Sequence, residues 1–170
     1  MPYANAAAVM VGKRIGEGNS KDDVYQLAMC LLTVCLLVGS AVAVLMAILL
    51  PTVFIPFVYP LFQLTEQATR IAVTLCIVYL IVMPLRFFDI TNIVGVLRSG
   101  GDTKMAAILD LLPLWLASIP CMALFALVLD APIPLICAAT QFESLIKTPL
   151  GLVRLHSRKW INDVTVGGIE

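Results

Sequence analysis

The sequence contains very little charge. Of its 170 residues only 13% are charged, with 11 Lys and Arg balanced by 11 Asp and Glu, whereas 61% are hydrophobic and the mean hydropathy is +0.99. A soluble domain carries about 25% charged residues. The net charge of zero gives no reason to expect nucleic acid as a partner. The composition therefore excludes an ordinary soluble domain and predicts an all-α integral membrane protein.

Signatures of catalysis and of metal binding are also missing. The sequence has neither H-E-x-x-H nor G-x-S-x-G, and its one histidine, His156, lies in a polar tail where an exposed side chain is expected. Its five cysteines fall inside apolar segments, and none forms a C-x-x-C pair. These absences predict no enzyme, no metal site, no cofactor and no disulfide framework.

The chain does contain long apolar runs. Four of them reach the ~20 residues that a bilayer requires. They are Leu27–Leu50, Ile71–Leu97, Met105–Leu129 and Ile133–Val153. A fifth piece, Met1–Gly12, is apolar but too short to cross, and it lacks the basic start of a signal peptide. We expect a polytopic helical bundle with four full transmembrane helices and the end of a fifth.

The basic residues are distributed unequally between the two sides of these spans. One side collects eight of the eleven, Arg70 alone lies on the other, and Arg86 and Lys147 lie within spans. The eight are Lys13, Arg14, Lys21, Arg98, Lys104, Arg154, Arg158 and Lys159. By the positive-inside rule their side is cytoplasmic. This predicts a multi-pass protein of the cell membrane with a cytoplasmic C-terminus.

The connection between the second and third spans is short and polar. Its Gly-Gly pair allows a tight reversal of the backbone, and Asp102 is predicted to cap the following helix. Arg98 and Lys104 are expected to hold this hairpin at the cytoplasmic surface. The residues of the loop are Arg98, Ser99, Gly100, Gly101, Asp102 and Thr103.

Two stretches carry a family resemblance. The run from Val96 to Lys104 resembles the LRSGGDT loop of multidrug and toxic compound extrusion (MATE) transporters, in the second half of that fold. The run VGKRIGEGN from Val11 to Asn19 resembles the VGxxIGxGN segment that closes an earlier helix of the same half. Its motif residues are Gly12, Gly16, Gly18 and Asn19. The order of the two motifs, and the two spans between them, also fit the second half of the MATE fold.

The resemblance implies a twelve-helix transporter with two six-helix halves. Residues 1–170 would then be a single transmembrane region containing the end of helix 8 and helices 9 to 12, as a fragment. The implied function is efflux of small cationic or amphipathic drugs by antiport with H⁺ or Na⁺. The implied partners are membrane lipids, those drugs and the missing N-terminal lobe, without which the fragment is expected to be inactive.

Two other functions are also compatible with the sequence. One is a lipid-linked precursor flippase of the same superfamily, which a strongly cationic cavity would favour. The other is a non-transporting membrane subunit that assembles with a partner chain. Gly100-Gly101-Asp102 is also similar to the GxGD element of intramembrane aspartyl proteases. That similarity carries little weight, because the element lies in a surface loop and no Tyr-Asp partner helix exists.

The second span contains two charged residues far from its ends. Arg86 and Asp89 are three residues apart and so share a helix face, at roughly 18 and 14 Å from the cytoplasmic end. Ionisable residues at such depth are functional candidates. One interpretation is a self-neutralising pair, and the other is a coupling carboxylate, Asp89, tuned by Arg86. Pro84 frees a backbone carbonyl nearby.

The fourth span contains a second pair. Glu143 and Lys147 are four apart in the order that favours a same-face pair, and Lys147 is near enough to the end to extend to the surface. They are ion-coupling or substrate candidates together with Arg86 and Asp89. Asp110, in the third span, is expected to pair with Lys104 or Arg98.

Two further expectations concern the borders of the membrane. Pro51, Pro56 and Pro60 interrupt an apolar run and are expected to break or kink the helix. Trp160, after the last span, is expected at the level of the lipid headgroups.

Overall fold

The computed structural model describes residues 2–162, and within this range the chain is helical without any strand. This confirms the all-α class. Met1 and residues 163–170, including the predicted cytoplasmic C-terminus, lie outside the described range. The helices are α1 (Pro2–Gly16), α2 (Lys21–Leu61), α3 (Glu66–Leu97), α4 (Thr103–Val128), α5 (Ile133–Ala139) and α6 (Phe142–His156).

Three helices, α2, α3 and α4, are long and apolar enough to cross a membrane. The prediction of a fourth continuous span over Ile133–Val153 is wrong. That segment is divided at Thr140 and Gln141 into α5, of 7 residues, and α6, of 15 residues. Polar side chains of neighbouring helices form hydrogen bonds with the polar groups at the break. Such bonds are required where a helix is interrupted among apolar neighbours.

The junction between α1 and α2 follows the sequence pattern. Gly18 adopts a left-handed φ of +71° after α1, which a glycine adopts readily. Ser20 then caps α2, because its Oγ accepts a hydrogen bond from the amide of Asp23 at 3.2 Å. Asp22 and Asp23 lie in the first turn, where acidic side chains stabilise the helix dipole.

The prolines change the helix type instead of ending the helix. Of the break or kink expected between Pro51 and Pro60, the break does not occur, since α2 continues to Leu61 through a π-helical stretch, Leu50–Val58. In that stretch amides bond five residues back, as from Tyr59 to the carbonyl of Phe54. The wider π-helical turn accommodates residues that lose their α-helical hydrogen bonds because of proline.

The last two turns of α3, Thr91–Leu97, are also π-helical, although they contain no proline. Helix α1 packs closely along them. A Cβ atom at Gly95 would lie 3.1 Å from both the carbonyl oxygen of Ala4 and the Cβ of Ala7. The absence of a side chain at Gly95 therefore permits this contact.

The main buried core lies at the end of the bundle that carries the Arg98–Asp102 loop. It joins α1, α2, α3, α4 and α6 to the segment after α6. Its fully buried large side chains include Val11, Val24, Leu32, Leu97 and Trp160.

Trp160 closes this core from below the loop. It is fully buried, and its indole Nε1 donates to the carbonyl of Leu155 at 3.0 Å. The amide of Asn162 donates to the carbonyl of Gly100 at 2.8 Å. The loop therefore covers the indole, and the level of Trp160 relative to the lipid headgroups stays a prediction.

Asp102 occupies the N-cap position of α4, but its side chain makes no capping bond. Its Oδ2 accepts instead from Nε of Arg154, at 2.6 Å. The expected cap is thus replaced by an ion pair that joins the loop to the end of α6.

Candidate functional site

A cavity of about 290 Å³ lies between α3, α4 and α6. All four of the charged residues singled out as coupling or substrate candidates line it. The ionisable residues in its wall are Arg86, Asp89, Arg98, Asp110, Glu143 and Lys147. Three positive and three negative side chains from well-separated parts of the chain thus meet in one place.

Arg86 extends from α3 to the break between α5 and α6. Its Nε donates to Oε1 of Gln141 at 3.0 Å, and its Nη2 lies 3.4 Å from Oε1 of Glu143. The interpretation of Arg86 and Asp89 as a self-neutralising pair is therefore wrong. Arg86 finds its acidic partner on another helix, although Asp89 shares its own helix face.

Lys147 is placed between two acids. Its Nζ lies 3.0 Å from Oδ1 of Asp110 and 3.8 Å from Oε1 of Glu143. The pairing of Glu143 with Lys147 along α6 is confirmed. The pairing of Asp110 with Lys104 or Arg98 is wrong. Lys147 does not extend to the surface, because its side chain is only 11% exposed.

Asp89 is the most buried acid of the cavity, at 5% exposure. Its Oδ1 accepts from the hydroxyl of Thr148 at 2.9 Å. Within residues 2–162, no donor reaches Oδ2 of Asp89 or Oε2 of Glu143. Buried carboxylate oxygens without donors are costly, and a proton or a cation bound there removes that cost.

The break between α5 and α6 is stabilised from α4. The hydroxyl of Ser118 donates to the carbonyl of Thr140 at 2.8 Å, and Gln141 bonds Thr140 through its side chain. Ser118, Arg86 and Glu143 also line a smaller cavity of about 180 Å³ at this break. The interruption therefore places Thr140 in the wall of this smaller cavity, beside the other polar side chains.

Sequence reasoning missed three residues of this region, namely Asn92, Ser118 and Thr148. Asn92 follows Asp89 by three residues, so the helical period could have placed it on the same face. It is 1% exposed, and a Cβ atom at Gly151 would come within 2.6 Å of its Nδ2. No sequence signal distinguishes Ser118 or Thr148 from the other hydroxyl residues of the spans.

The loop and helix-end motifs contribute mainly to structure. Of the loop residues only Arg98 lines the cavity; Ser99 Oγ donates to the carbonyl of Gly95 at 2.6 Å, and Gly101 has a φ of +88°. Asn19 Nδ2 donates to the carbonyl of Arg14 at 3.1 Å. At Gly12 and Gly16 a Cβ atom would meet nothing within 4 Å.

The fold and the site define a helical chain with three helices apolar enough to cross a membrane and a charged cavity between its helices. Among the residues that the structure describes, no group of three or more His, Cys, Asp and Glu side chains is arranged to hold a metal ion. No family model, curated protein or solved structure matches this chain.

Proposed function

We propose that this chain is the C-terminal part of an ion-coupled efflux antiporter for organic cations and amphipathic drugs, related to the MATE transporters. In this assignment residues 1–170 supply the end of helix 8 and helices 9 to 12, with α5 and α6 together forming the last, interrupted helix. The observation that supports the proposal is the cavity in which α3, α4 and α6 bring together Asp89, Glu143, Arg86 and Lys147.

The proposed placement is a polytopic bundle in the cell membrane. The loop around Arg98 and the C-terminus face the cytoplasm, as the distribution of basic residues indicates. The interrupted helix supports the same proposal, because discontinuous helices commonly form the binding sites of secondary transporters.

In the proposed mechanism, Asp89 and Glu143 take up the coupling ion, H⁺ or Na⁺. Each carries one buried oxygen that no donor within residues 2–162 reaches. A bound ion neutralises the carboxylate, so a cationic drug attracted to the same acids binds more weakly. Mutual exclusion of ion and drug is what antiport requires.

The experiment is drug efflux in a strain that lacks its own pumps. The chain is expressed alone and together with the missing upstream helices, and we expect efflux only from the combination. Asp89→Asn and Glu143→Gln should then abolish it. Asp130→Asn is the matched acid control, since Asp130 lies in the turn before α5, outside the cavity.

Efflux that is unchanged in both cavity variants would contradict the proposal. Absence of efflux, with both polypeptides folded in the membrane, would favour a non-transporting subunit. Transport of a lipid-linked precursor instead of drugs would favour the flippase.

A further inference from the structure

The backbone at the break between α5 and α6 is already close to helical. The φ and ψ angles are −64° and −18° at Thr140 and −81° and −11° at Gln141, whereas an α-helix has values near −63° and −42°. Neither residue is a glycine or a proline. A modest change in ψ at these two residues would therefore join α5 and α6 into one continuous helix.

Side chains of other helices stabilise the broken form. Arg86 of α3 donates through Nε to Oε1 of Gln141 at 3.0 Å, and the hydroxyl of Ser118 in α4 donates to the carbonyl of Thr140 at 2.8 Å. In a continuous helix that carbonyl would accept from the amide of Ser144, four residues later. The amide of Ser144 donates instead to the carbonyl of Gln141 at 3.1 Å. The bond from Ser118 thus takes the place of the helical one.

The carboxylate of Glu143 supports the broken form in two ways. It lies in the first turn of α6, where a negative charge stabilises the positive end of the helix dipole. Its Oε1 lies 3.4 Å from Nη2 of Arg86, and so it helps to hold the guanidinium beside Gln141. Its Oε2 is buried, and no donor within residues 2–162 reaches that atom. A proton on Oε2 would remove the cost of this oxygen together with both contributions to the break.

The charged surroundings of Glu143 make Arg86 the partner most affected by such a proton. The charged groups that line the cavity with Glu143 are Arg86, Asp89 and Arg98 of α3, Asp110 of α4 and Lys147 of α6. Lys147 lies 3.0 Å from Oδ1 of Asp110, so it keeps an acidic partner when Glu143 is neutral. Among the described contacts of Arg86, Glu143 is the one acid. Neutral Glu143 therefore leaves Arg86 without an acidic partner.

We propose that the charge of Glu143 switches α5 and α6 between two forms, an interrupted helix when the carboxylate is charged and a continuous helix when it is neutral. A proton binds to Oε2 of Glu143, Arg86 is released from the first turn of α6, and Thr140 and Gln141 adopt helical ψ angles. The same proton leaves Oε2 when the helix breaks again. The proposal rests on the proposed function, in which Glu143 takes up the coupling ion, and adds a change of helix form to proton binding.

A single peptide bond reports this change, because Thr140-Gln141 is the one Thr-Gln pair in the sequence. The full chain is labelled with threonine that carries ¹³C at its carbonyl and with ¹⁵N-glutamine, and is placed in lipid nanodiscs. The correlation between the two nuclei is then followed by NMR from alkaline to acidic pH. Thr69-Arg70, which is also unique in the sequence and lies in α3, is observed with ¹⁵N-arginine as the control peptide.

We expect the Thr140 carbonyl resonance to move at low pH to the position typical of an α-helix, because ψ of Thr140 then becomes helical. Glu143→Gln should hold the resonance there at every pH. Arg86→Gln should also remove the pH dependence, whereas Arg86→Lys keeps the positive charge and should retain it. Asp130→Asn is the matched acid control, since Asp130 precedes α5 and lies outside the charged cavity. It should leave the pH dependence unchanged.

A Thr140 resonance that does not move with pH would overturn the proposal, as would a movement that persists in Glu143→Gln. An equal movement of the control peptide would indicate general unfolding and would also overturn it. These outcomes are decided without the Arg86 variants. A switch in helix form without any efflux would contradict only the transport function. Efflux that depends on Glu143, with no movement of the resonance, would contradict only the switch.

Discussion

At the scale of single residues, the two candidate coupling acids have different surroundings. Glu143 lies between two positive side chains, Arg86 and Lys147. Asp89 is in contact with the hydroxyl of Thr148. Thr148 is the donor that reaches Oδ1 of Asp89, and its one proton is shared with the carbonyl of Ser144, 2.8 Å away.

Replacing Thr148 tests this role. Its hydroxyl lies 2.9 Å from Oδ1 of Asp89, and a hydrogen bond to a charged group contributes about 1.5–3 kcal/mol. We expect Thr148→Val to lower the free energy of unfolding in detergent by about that amount. Thr148→Ser keeps the hydroxyl and should change it by less than half as much. Equal losses in the two variants would contradict the role.

The sequence predicted the contact of Glu143 with Lys147 along α6, but not the partners of these charged residues on other helices. Spacing of three or four residues places Arg86 with Asp89, and Glu143 with Lys147, along single helices. This spacing does not indicate which helices face each other. It therefore could not predict the pairs Arg86–Glu143 and Lys147–Asp110, whose members are 57 and 37 residues apart in sequence. Those pairs depend on the packing of α3, α4 and α6.

At the scale of elements, the loop before α4 and the segment after α6 form one unit. Trp160 packs beneath Gly100, the backbone of Asn162 bonds to Gly100, and Arg154 pairs with Asp102. Arg158 pairs with Asp22 and lies 4.8 Å above the ring of Tyr25. These contacts connect α6 with the beginning of both α2 and α4.

Gly100→Ala should disrupt this unit. The added methyl group would overlap the indole of Trp160 and lie 2.6 Å from its carbonyl oxygen. Overpacking of this kind costs about 1–3 kcal/mol, so we expect a lower unfolding temperature and an increase in the exposure of Trp160 to an aqueous quencher. Gly12→Ala is the control, because a Cβ atom there meets nothing within 4 Å. A shift no larger than that of the control would contradict the packing.

Helix boundaries were harder to predict than helix positions. Proline is the strongest sequence signal for a helix break, yet α2 continues through Pro51 and Pro56 as a π-helix, and α6 continues through Pro149. The interruption falls at Thr140 and Gln141, where there is neither glycine nor proline. The interruption depends on Ser118 and Arg86, which are distant in sequence. No local sequence pattern therefore predicts it.

At the scale of the whole molecule, the proposed topology places α1–α2 and α3–α4 connections on the cytoplasmic side. In a background without the five native cysteines, Lys13→Cys and Lys104→Cys should react with an impermeant maleimide only from the cytoplasm. Gln67→Cys and Ala131→Cys should react only from outside. A helix that crosses the membrane completely has its two ends on opposite sides, so successive connections alternate between the two sides. Labelling of all four from one side would contradict the spanning arrangement.

In the proposed function, the charged cavity exchanges a coupling ion for a drug. The most direct measurement is ion release when a cationic drug is added to the purified chain assembled with the missing upstream helices, in weak buffer and in a sodium-containing medium. We expect release of H⁺ or Na⁺ in proportion to bound drug, and loss of that release in the double variant Asp89→Asn, Glu143→Gln. Drug binding with no ion release, or with release unchanged in the double variant, would contradict it.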